Sequence, residues 1–363
     1  MKVSVRIKIM SDYKKVLQNL TTIVSREEAS DLHLSEGRMP YIRSAGFLVP
    51  LSKEPVLTRQ DMKGILDELV DPTKKEILLT KKQVDFAYYD DNKIRFRGHA
   101  FFHFGQISIA MRLIPNKIKN LEELRLPAVL ETFVNKQQGF FLVVGPTGQG
   151  KSTTLASMIE MINEQRLEHI VTVEDPIEYV FESKKSIIDQ RELLQDTPDF
   201  STALEGTFRE DIDVMMIGEM RTPDDIAAAV TAAETGHLVF STLHTNSAAG
   251  SVERILDSFD NIQQAQIRIQ LASSLLGIFS QRLIPRVSGG LIPAYELLIN
   301  NPAVANLIRE NRTFELASVM ETSSDQGMID LNRNLSELVK AGEITIENAY
   351  LHTQNAKGLD HMI

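Results

Sequence analysis

A glycine-rich segment in the middle of the chain constrains the fold more than any other feature of the sequence. It follows the apolar run FFLVV at residues 140–144, which predicts a strand, and it precedes TLASMIEMI, which predicts a helix. The segment fits the pattern G-x-x-x-x-G-K-[ST] and reads Gly145, Pro146, Thr147, Gly148, Gln149, Gly150, Lys151, Ser152 and Thr153. A strand, a glycine-rich loop and a helix in this order predict a phosphate-binding loop, and a plain glycine turn is the simpler alternative.

The residue types of this loop suit a nucleoside triphosphate. Glycines let the backbone fold into a nest whose N–H groups face the phosphates, and the helix N-terminus adds the positive end of its dipole. We expect Lys151 to reach the β- and γ-phosphates and the hydroxyl of Ser152 to hold Mg²⁺. All nine residues, 145–153, are therefore predicted to bind the nucleotide.

Acidic residues follow two of the apolar strands predicted beyond this loop. Strands are expected at 140–144, 170–173, 214–217 and 238–240, alternating with helical patterns, which favours a mostly parallel sheet covered on both faces. Ligands bind at the carboxyl edge of such sheets. We therefore expect Glu174 and Glu219 to act in catalysis, with Glu219 also a metal ligand; solvated loop charges are the alternative. Asp213 precedes its strand, roughly 20 Å from the other end, and cannot serve the same metal.

Histidine and threonine side chains follow the last of these strands. Residues 242–245 read Thr-Leu-His-Thr, so a polar cluster again follows a strand of the predicted sheet. We expect His244 to lie where a sensor of the γ-phosphate would be placed. A structural, hydrogen-bonding histidine is the alternative for this residue and is the more common role of a lone histidine.

Composition and charge exclude several other classes of protein. The 363 residues include no cysteine, which excludes disulfides, Cys-ligated zinc and thiol catalysis and is compatible with a cytoplasmic protein. The net charge of −10 opposes a partnership with nucleic acid, because phosphate-binding surfaces usually carry excess basic residues. No apolar run approaches 18 residues, so we expect no membrane-spanning helix.

A β-hairpin is predicted before residue 114. Residues 93–102 and 107–113 alternate apolar and polar side chains on either side of Gly105. Matching their apolar faces places Arg95, Arg97 and Arg112 on one polar face, where like charges repel. Either water screens these charges or an anion binds to them.

Changes in pattern divide the chain into segments. Residues 1–9 predict a short strand and are expected to be an N-terminal extension, with translation beginning at Met10. Residues 10–114 predict a small α+β domain, and 115–127 a polar linker. Residues 128–285 form the predicted α/β core. Residues 286–363 predict a helical region, where Leu331, Leu335, Leu338 and Val339 share helical spacing that ends at Gly342.

Taken together, five stretches resemble the type IV pilus retraction ATPases, the twitching-motility group of the secretion-ATPase superfamily. They are residues 29–34 (ASDLHL), the loop at 145–153, residues 172–178 (TVEDPIE, like the family's Asp box), residues 218–221 (GEMR, like its Walker B) and residues 235–244 (TGHLVFSTLH, like its His box). The resemblance extends from about residue 11 to about residue 350. It implies a PAS-like N-terminal domain at 10–114, a RecA-like ATPase domain and a helical C-terminal region.

The same resemblance implies a homo-hexameric motor that hydrolyses ATP with Mg²⁺ and withdraws pilin subunits from the pilus. Arg97 and Arg112 would act on the nucleotide from the N-terminal domain, and an arginine finger can be worth about 10³–10⁵ in rate. Glu174 and Glu219 would divide the tasks of polarising water and holding Mg²⁺, in an order that the sequence leaves open. The implied location is cytoplasmic, at the inner-membrane base of the pilus, through a platform protein and related pilus ATPases and without direct membrane insertion.

Departures from the family pattern leave other functions open. The helix linked to retraction usually reads AIRNLIRE, whereas residues 303–310 read AVANLIRE, so its first arginine is replaced by Ala305. An accessory retraction ATPase is therefore one alternative. An assembly ATPase of pili or of type II secretion is another, although such proteins commonly carry a four-cysteine zinc insert. A nucleotide-binding scaffold without hydrolysis is the alternative from another class.

Overall fold

The computed structural model describes residues 12–27, 29–44, 47–91, 94–114 and 117–363. The predicted strand within residues 1–9 and the predicted start at Met10 lie outside these residues. The chain divides into two compact units, with the boundary between Lys117 and Ile118. Each unit has its own hydrophobic core.

The first unit is an α+β domain, as predicted. Its helices and strands are, in chain order, α1 (Tyr13–Arg26), β1 (Asp31–Ser35), β2 (Tyr41–Ser44), β3 (Phe47–Pro50), α2 (Arg59–Leu69), α3 (Pro72–Lys81), β4 (Gln83–Tyr89), β5 (Arg95–His103) and β6 (Gln106–Ile114). The described strands form one antiparallel sheet in the order β3-β2-β1-β6-β5-β4. Helix α1 begins after Asp12, whose side chain accepts a hydrogen bond from the backbone N–H of Lys15.

The predicted hairpin is confirmed as β5 and β6, in which Arg97 lies directly opposite Arg112. The structure corrects the expected surroundings of two of the three arginines. Arg95 is buried rather than solvated, with its guanidinium 5.3 Å from the centre of the Tyr89 ring. Arg112 donates to a carboxylate oxygen of Asp31 on β1 at 2.9 Å. The Asp31 carboxylate therefore balances positive charge on this face. This partner could be identified only from the structure, in which β1 lies beside β6.

The second unit is built on a mostly parallel sheet, as predicted. Its elements are α4 (Glu131–Val134), β7 (Gly139–Val144), α5 (Lys151–Gln165), β8 (His169–Glu174), β9 (Ile187–Glu192), α6 (Phe200–Thr207), β10 (Val214–Ile217), α7 (Pro223–Glu234), β11 (Leu238–Leu243), α8 (Ala248–Asp257), α9 (Asn261–Ser274), β12 (Leu275–Pro285), β13 (Leu291–Ile299), α10 (Pro302–Arg309), α11 (Leu316–Thr322), α12 (Leu331–Lys340), α13 (Ile346–His352) and α14 (Ala356–Asp360). The described strands form one sheet in the order β13-β12-β7-β11-β10-β8-β9.

Parallel pairing places the ends of the central strands at one edge of this sheet. β7, β10 and β11 are buried along their whole length, which explains the apolar runs at 140–144, 214–217 and 238–240. β11 pairs in parallel with both β7 and β10, and β10 pairs in parallel with β8. The loops that follow these four strands therefore meet at the same edge.

Two predicted boundaries differ from the structure. Within the predicted linker at 115–127, Leu121 and Leu126 are buried in a core of the second unit, and residues 121–125 form a turn. The predicted helical region at 286–363 contains the strand β13, which pairs with β12 along nine residues and extends the sheet. Beyond it, α12 ends near the predicted residue, and Gly342 follows in the left-handed conformation with φ of 69°.

None of the helices in the described ranges is long and apolar enough to span a membrane.

Candidate nucleotide-binding site

The glycine-rich loop joins β7 to α5, which is the arrangement that its sequence predicts. Gly145, Gly148 and Gly150 have φ angles of 148°, 77° and 81°, a region that residues with side chains seldom adopt. At Gly145 the neighbouring strand adds a steric reason, because a Cβ atom would lie 2.4 Å from the backbone oxygen of Gln281. Glycine is therefore required at this position by both conformation and space.

Lys151 begins α5 and is buried at the base of the loop. Its Nζ atom donates to the backbone oxygens of Gly145 and Pro146 at 2.9 and 3.0 Å and lies 3.4 Å from Nδ1 of His244. Burial lowers the pKa of Lys151, and the negative charges of Glu219 and Glu178 oppose that shift. The lysine is thus held within the loop by backbone oxygens, in the electrostatic field of two carboxylates.

Glu219 and His244, both predicted from sequence, are brought together at the end of the sheet. Nε2 of His244 lies 3.1 Å from a carboxylate oxygen of Glu219. Nδ1 of the same ring lies 3.2 Å from the hydroxyl oxygen of Thr147 in the glycine-rich loop. The imidazole therefore bridges the loop and the acidic residue that follows β10. Arg221 pairs with the second oxygen of Glu219 at 3.1 Å.

Glu174 occupies a different environment from the one expected of it. It is the last residue of β8 and is buried, and its carboxylate accepts hydrogen bonds from Thr172 at 2.8 Å and from Gln190 at 3.2 Å. It also accepts from the backbone N–H of Glu178 at 3.2 Å. These contacts hold the loop after β8 in place, and its catalytic role remains a prediction.

The sequence analysis missed Glu178 as a candidate. It lies four residues beyond β8. Its negative charge raises the pKa of Lys151, against the effect of burial. The signal in the sequence is that Glu178 is the third acidic residue of the stretch at 172–178, which carries the resemblance to the family's Asp box. The segment after β8 thus supplies one carboxylate that holds the loop in place and another whose charge acts on the lysine.

Two polar residues lie at the opposite edge of the sheet, where the sequence reasoning places Asp213. Asp213 precedes β10, and its carboxylate accepts a hydrogen bond from the backbone N–H of His169 at 2.8 Å. Nδ1 of His237, just before β11, lies 2.9 Å from the backbone oxygen of Ala232. Both residues precede strands, make structural hydrogen bonds there, and are separated from the glycine-rich loop by the length of the strands.

The remaining loop residues lie on the first turn of α5. The hydroxyl of Thr153 lies 2.8 Å from the Tyr179 hydroxyl, and that of Thr154 donates to Gln281 at 2.7 Å. Ser152, the residue before Thr153, is partly buried. Its hydroxyl and the carboxylate of Glu219 are hard oxygen donors, which fit Mg²⁺ in donor type. Arg97 and Arg112 belong to the first unit, so their action at this site remains a prediction.

Comparisons with known proteins agree with this geometry. The family described as type II/IV secretion system protein matches residues 83–292. The type IV pilus retraction ATPase PilT of Pseudomonas aeruginosa is 41% identical over 333 residues, which cover 92% of this chain and 96% of that protein. The type IV pilus ATPase PilU of the same organism is 35% identical over 347 residues, which cover 95% of this chain and 91% of that protein.

A solved structure extends the similarity to the whole fold. The crystal structure of the pilus retraction motor PilT with bound ADP matches with a TM-score of 0.90 at 42% identity and covers 95% of this chain and 99% of that chain. The predicted combination of an N-terminal PAS-like domain, a RecA-like domain and a helical C-terminal region is confirmed by this match. The chain therefore belongs to the type II/IV secretion ATPase family and, within it, is a nucleotide-binding ATPase of the type IV pilus retraction group.

Proposed function

We propose that this ATPase is a homo-hexameric motor that powers retraction of a type IV pilus and thereby twitching motility. The observation that carries the proposal is the joining of Lys151, His244 and Glu219 at the end of the sheet, in a chain that shares 41% of its residues with a retraction ATPase over nearly its full length. These residues come from three separate motifs of the sequence.

In the proposed mechanism, the backbone N–H groups of the loop and Lys151 bind the phosphates of ATP. Burial of the lysine strengthens its interaction with phosphate, because charges attract more strongly where water is excluded. The negative charges of Glu219 and Glu178 act on this lysine, and we assign the orientation and deprotonation of the attacking water to this pair. His244 contacts Glu219 through one ring nitrogen and Thr147 through the other, so it would transmit a displacement of the Glu219 carboxylate to the glycine-rich loop.

Mg²⁺ would be held by the hydroxyl of Ser152 and by Glu219, together with phosphate oxygens. When bound, it would neutralise part of the charge that develops on the phosphates. We further propose that Arg97 and Arg112 add positive charge at the nucleotide from the first unit. The protein would act in the cytoplasm, at the inner-membrane base of the pilus, through a membrane platform protein and related pilus ATPases.

Phosphate release by the purified protein tests the enzymatic part of this proposal. Lys151→Ala should abolish both ATP hydrolysis and nucleotide binding, whereas Glu219→Gln should abolish hydrolysis and leave ADP binding within a few-fold of the wild type. Glu337→Gln, on the exposed surface of α12, is the matched control and should hydrolyse ATP normally. Equal, background-level release from the wild type and Glu219→Gln would favour a nucleotide-binding scaffold instead.

Deletion of the gene tests the physiological part. Loss of surface motility together with excess pili supports retraction, because pili then assemble without being withdrawn. Cells without pili would point to an assembly ATPase.

An accessory retraction ATPase is the second candidate, and α10 favours it. Asn301 caps this helix and Val304, Leu307 and Ile308 are buried, as in an ordinary packing helix. Ala305, where the family has its first arginine, is also buried in the core of the second unit. Expression in a strain that lacks all retraction ATPases decides between the two: restored motility supports a principal motor, and motility restored only beside a second retraction ATPase supports an accessory one.

A further inference from the structure

Strand β12 continues past the end of β7 and runs alongside the glycine-rich loop. The last residue of β12 that pairs with β7 is Ser280, opposite Val144. The next residue, Gln281, pairs with Tyr295 of β13 on one side, and on its other side it lies beside the loop that follows β7. Its side chain is buried, with a relative exposure of 2%.

Both ends of the Gln281 side-chain amide are used in contacts with the loop and the helix that follows it. The Nε2 atom donates to the backbone oxygen of Gln149 at 2.5 Å. The Oε1 atom accepts from the hydroxyl of Thr154 at 2.7 Å, which fixes the orientation of the amide. Gly150 packs against the same side chain, because a Cβ atom at Gly150 would lie 3.0 Å from Nε2.

A reciprocal contact joins the same two segments two residues further on. The side-chain oxygen of Gln149 accepts a hydrogen bond from the backbone N–H of Leu283 at 2.7 Å. Gln149 is thus held by β12 through its backbone oxygen and through its side chain. No motif of the sequence includes Gln281 or Leu283, and the contacts span more than a hundred residues of chain.

We infer that Gln281 is a positioning residue for the phosphate-binding loop. A trans peptide unit is planar, and its C=O and N–H groups point in opposite directions. Because Gln281 binds the carbonyl of the peptide between Gln149 and Gly150, the N–H of Gly150 is turned away from β12 and is free to face the phosphates. Gln281 therefore sets the direction of one N–H group of the nest without touching the nucleotide.

This inference depends on the proposed function only through nucleotide binding, and its test does not involve pili. Gln281→Met keeps the length of the side chain but removes the donor and the acceptor. Asn300→Leu is the matched control, because the amide of Asn300 also donates to backbone oxygens, those of Ala272 and Leu275, at the far end of the β12–β13 hairpin. Isothermal titration calorimetry measures the affinity of each full-length protein for ADP.

We expect Gln281→Met to weaken ADP binding about tenfold, equivalent to ~1.4 kcal/mol, and Asn300→Leu to leave it within about twofold, since only the former hydrogen-bonds to the loop. Steady-state kinetics should show a raised KM for ATP in Gln281→Met. A merely structural defect would lower the folded fraction and hence the apparent kcat, with KM unchanged. ADP affinity in Gln281→Met within about threefold of the wild type, or an equal loss in both variants, would overturn the inference.

Thr154→Val provides the test if Gln281→Met does not fold. The two side chains are nearly equal in volume, so this change removes only the hydroxyl that orients Gln281. ADP binding should weaken about threefold, as expected for one hydrogen bond. Unchanged binding in Thr154→Val would contradict the proposed role of Gln281, whereas failure of the wild type to bind ADP would contradict the proposed function itself.

Discussion

Glu296 is a buried carboxylic acid that should make the stability of the second unit depend on pH. It lies on β13 with a relative exposure of 6%, and its carboxylate accepts a hydrogen bond from the backbone N–H of Ala248 at the start of α8. Burial raises the pKa of Glu296 from 4.5 to about 7, despite the opposing effects of this hydrogen bond and of the Arg282 charge.

The size and sign of the effect follow from proton linkage. Between pH 4.5 and about 7, the folded protein keeps a proton on Glu296 that the unfolded chain releases. The free energy of unfolding therefore falls as pH rises, by about 1.4 kcal/mol per pH unit. The shift of 7 − 4.5 = 2.5 units corresponds to a total of about 3.4 kcal/mol, lost fully above pH 7.

Urea denaturation of the wild type and Glu296→Gln between pH 4 and pH 8 tests this reasoning. The amide of glutamine still accepts from Ala248 but does not titrate, so the variant should match the wild type near pH 4 and exceed it by about 3 kcal/mol at pH 8. Other titrating groups contribute equally to both proteins and cancel in the difference. Glu337→Gln is the exposed control and should show no such divergence. A difference between Glu296→Gln and the wild type that stays constant over this range would refute the account.

Three further changes probe the nucleotide site and the hairpin. Gly145→Ala should cost about 1–3 kcal/mol of unfolding free energy and abolish ADP binding, measured by denaturation and calorimetry, because its Cβ would meet the backbone oxygen of Gln281. Glu178→Gln should lower kcat at least about 100-fold in a phosphate-release assay if it orients the attacking water; normal turnover would leave this task to Glu219. Arg112→Ala should reduce the unfolding free energy by no more than about 1 kcal/mol, because its side chain is 68% exposed. Its kcat should fall about 10³-fold if it acts at the nucleotide, and near-normal turnover would return it to a structural role.

The glycine-rich loop was predictable from sequence because the residues that determine its structure are contiguous in the chain. Glycine spacing, the preceding apolar strand and the following helix are contiguous, so Lys151 could be placed at the start of α5. The apolar runs of β7, β10 and β11 were equally informative, because strands buried on both faces are rich in apolar residues. Glu219 and His244 could then be placed at one edge by the rule for parallel sheets.

Side-chain direction at the strand ends was not predictable in the same way. Thr172 and Glu174 lie two residues apart on β8 and therefore share a face, and the side chain of Gln190 on the neighbouring β9 closes the hydrogen-bond network. Sequence shows that an acidic residue ends the strand, but not that three donors will hold it. The ion pair between Arg112 and Asp31 was unpredictable for a similar reason, because it depends on the order of strands in the first sheet.

Strand β12 shows that side-chain contacts outside the sequence motifs also hold the nucleotide site. Gln281 contacts the glycine-rich loop, and the next residue, Arg282, donates to the backbone oxygens of Asn246, beyond His244, and His352 on α13. Successive residues of a strand point to opposite sides, so one strand end holds both the loop that binds phosphate and the loop that carries the histidine. A change at either residue should therefore alter nucleotide binding without touching any recognised motif, and the contact with α13 gives the C-terminal helices a direct connection to the site.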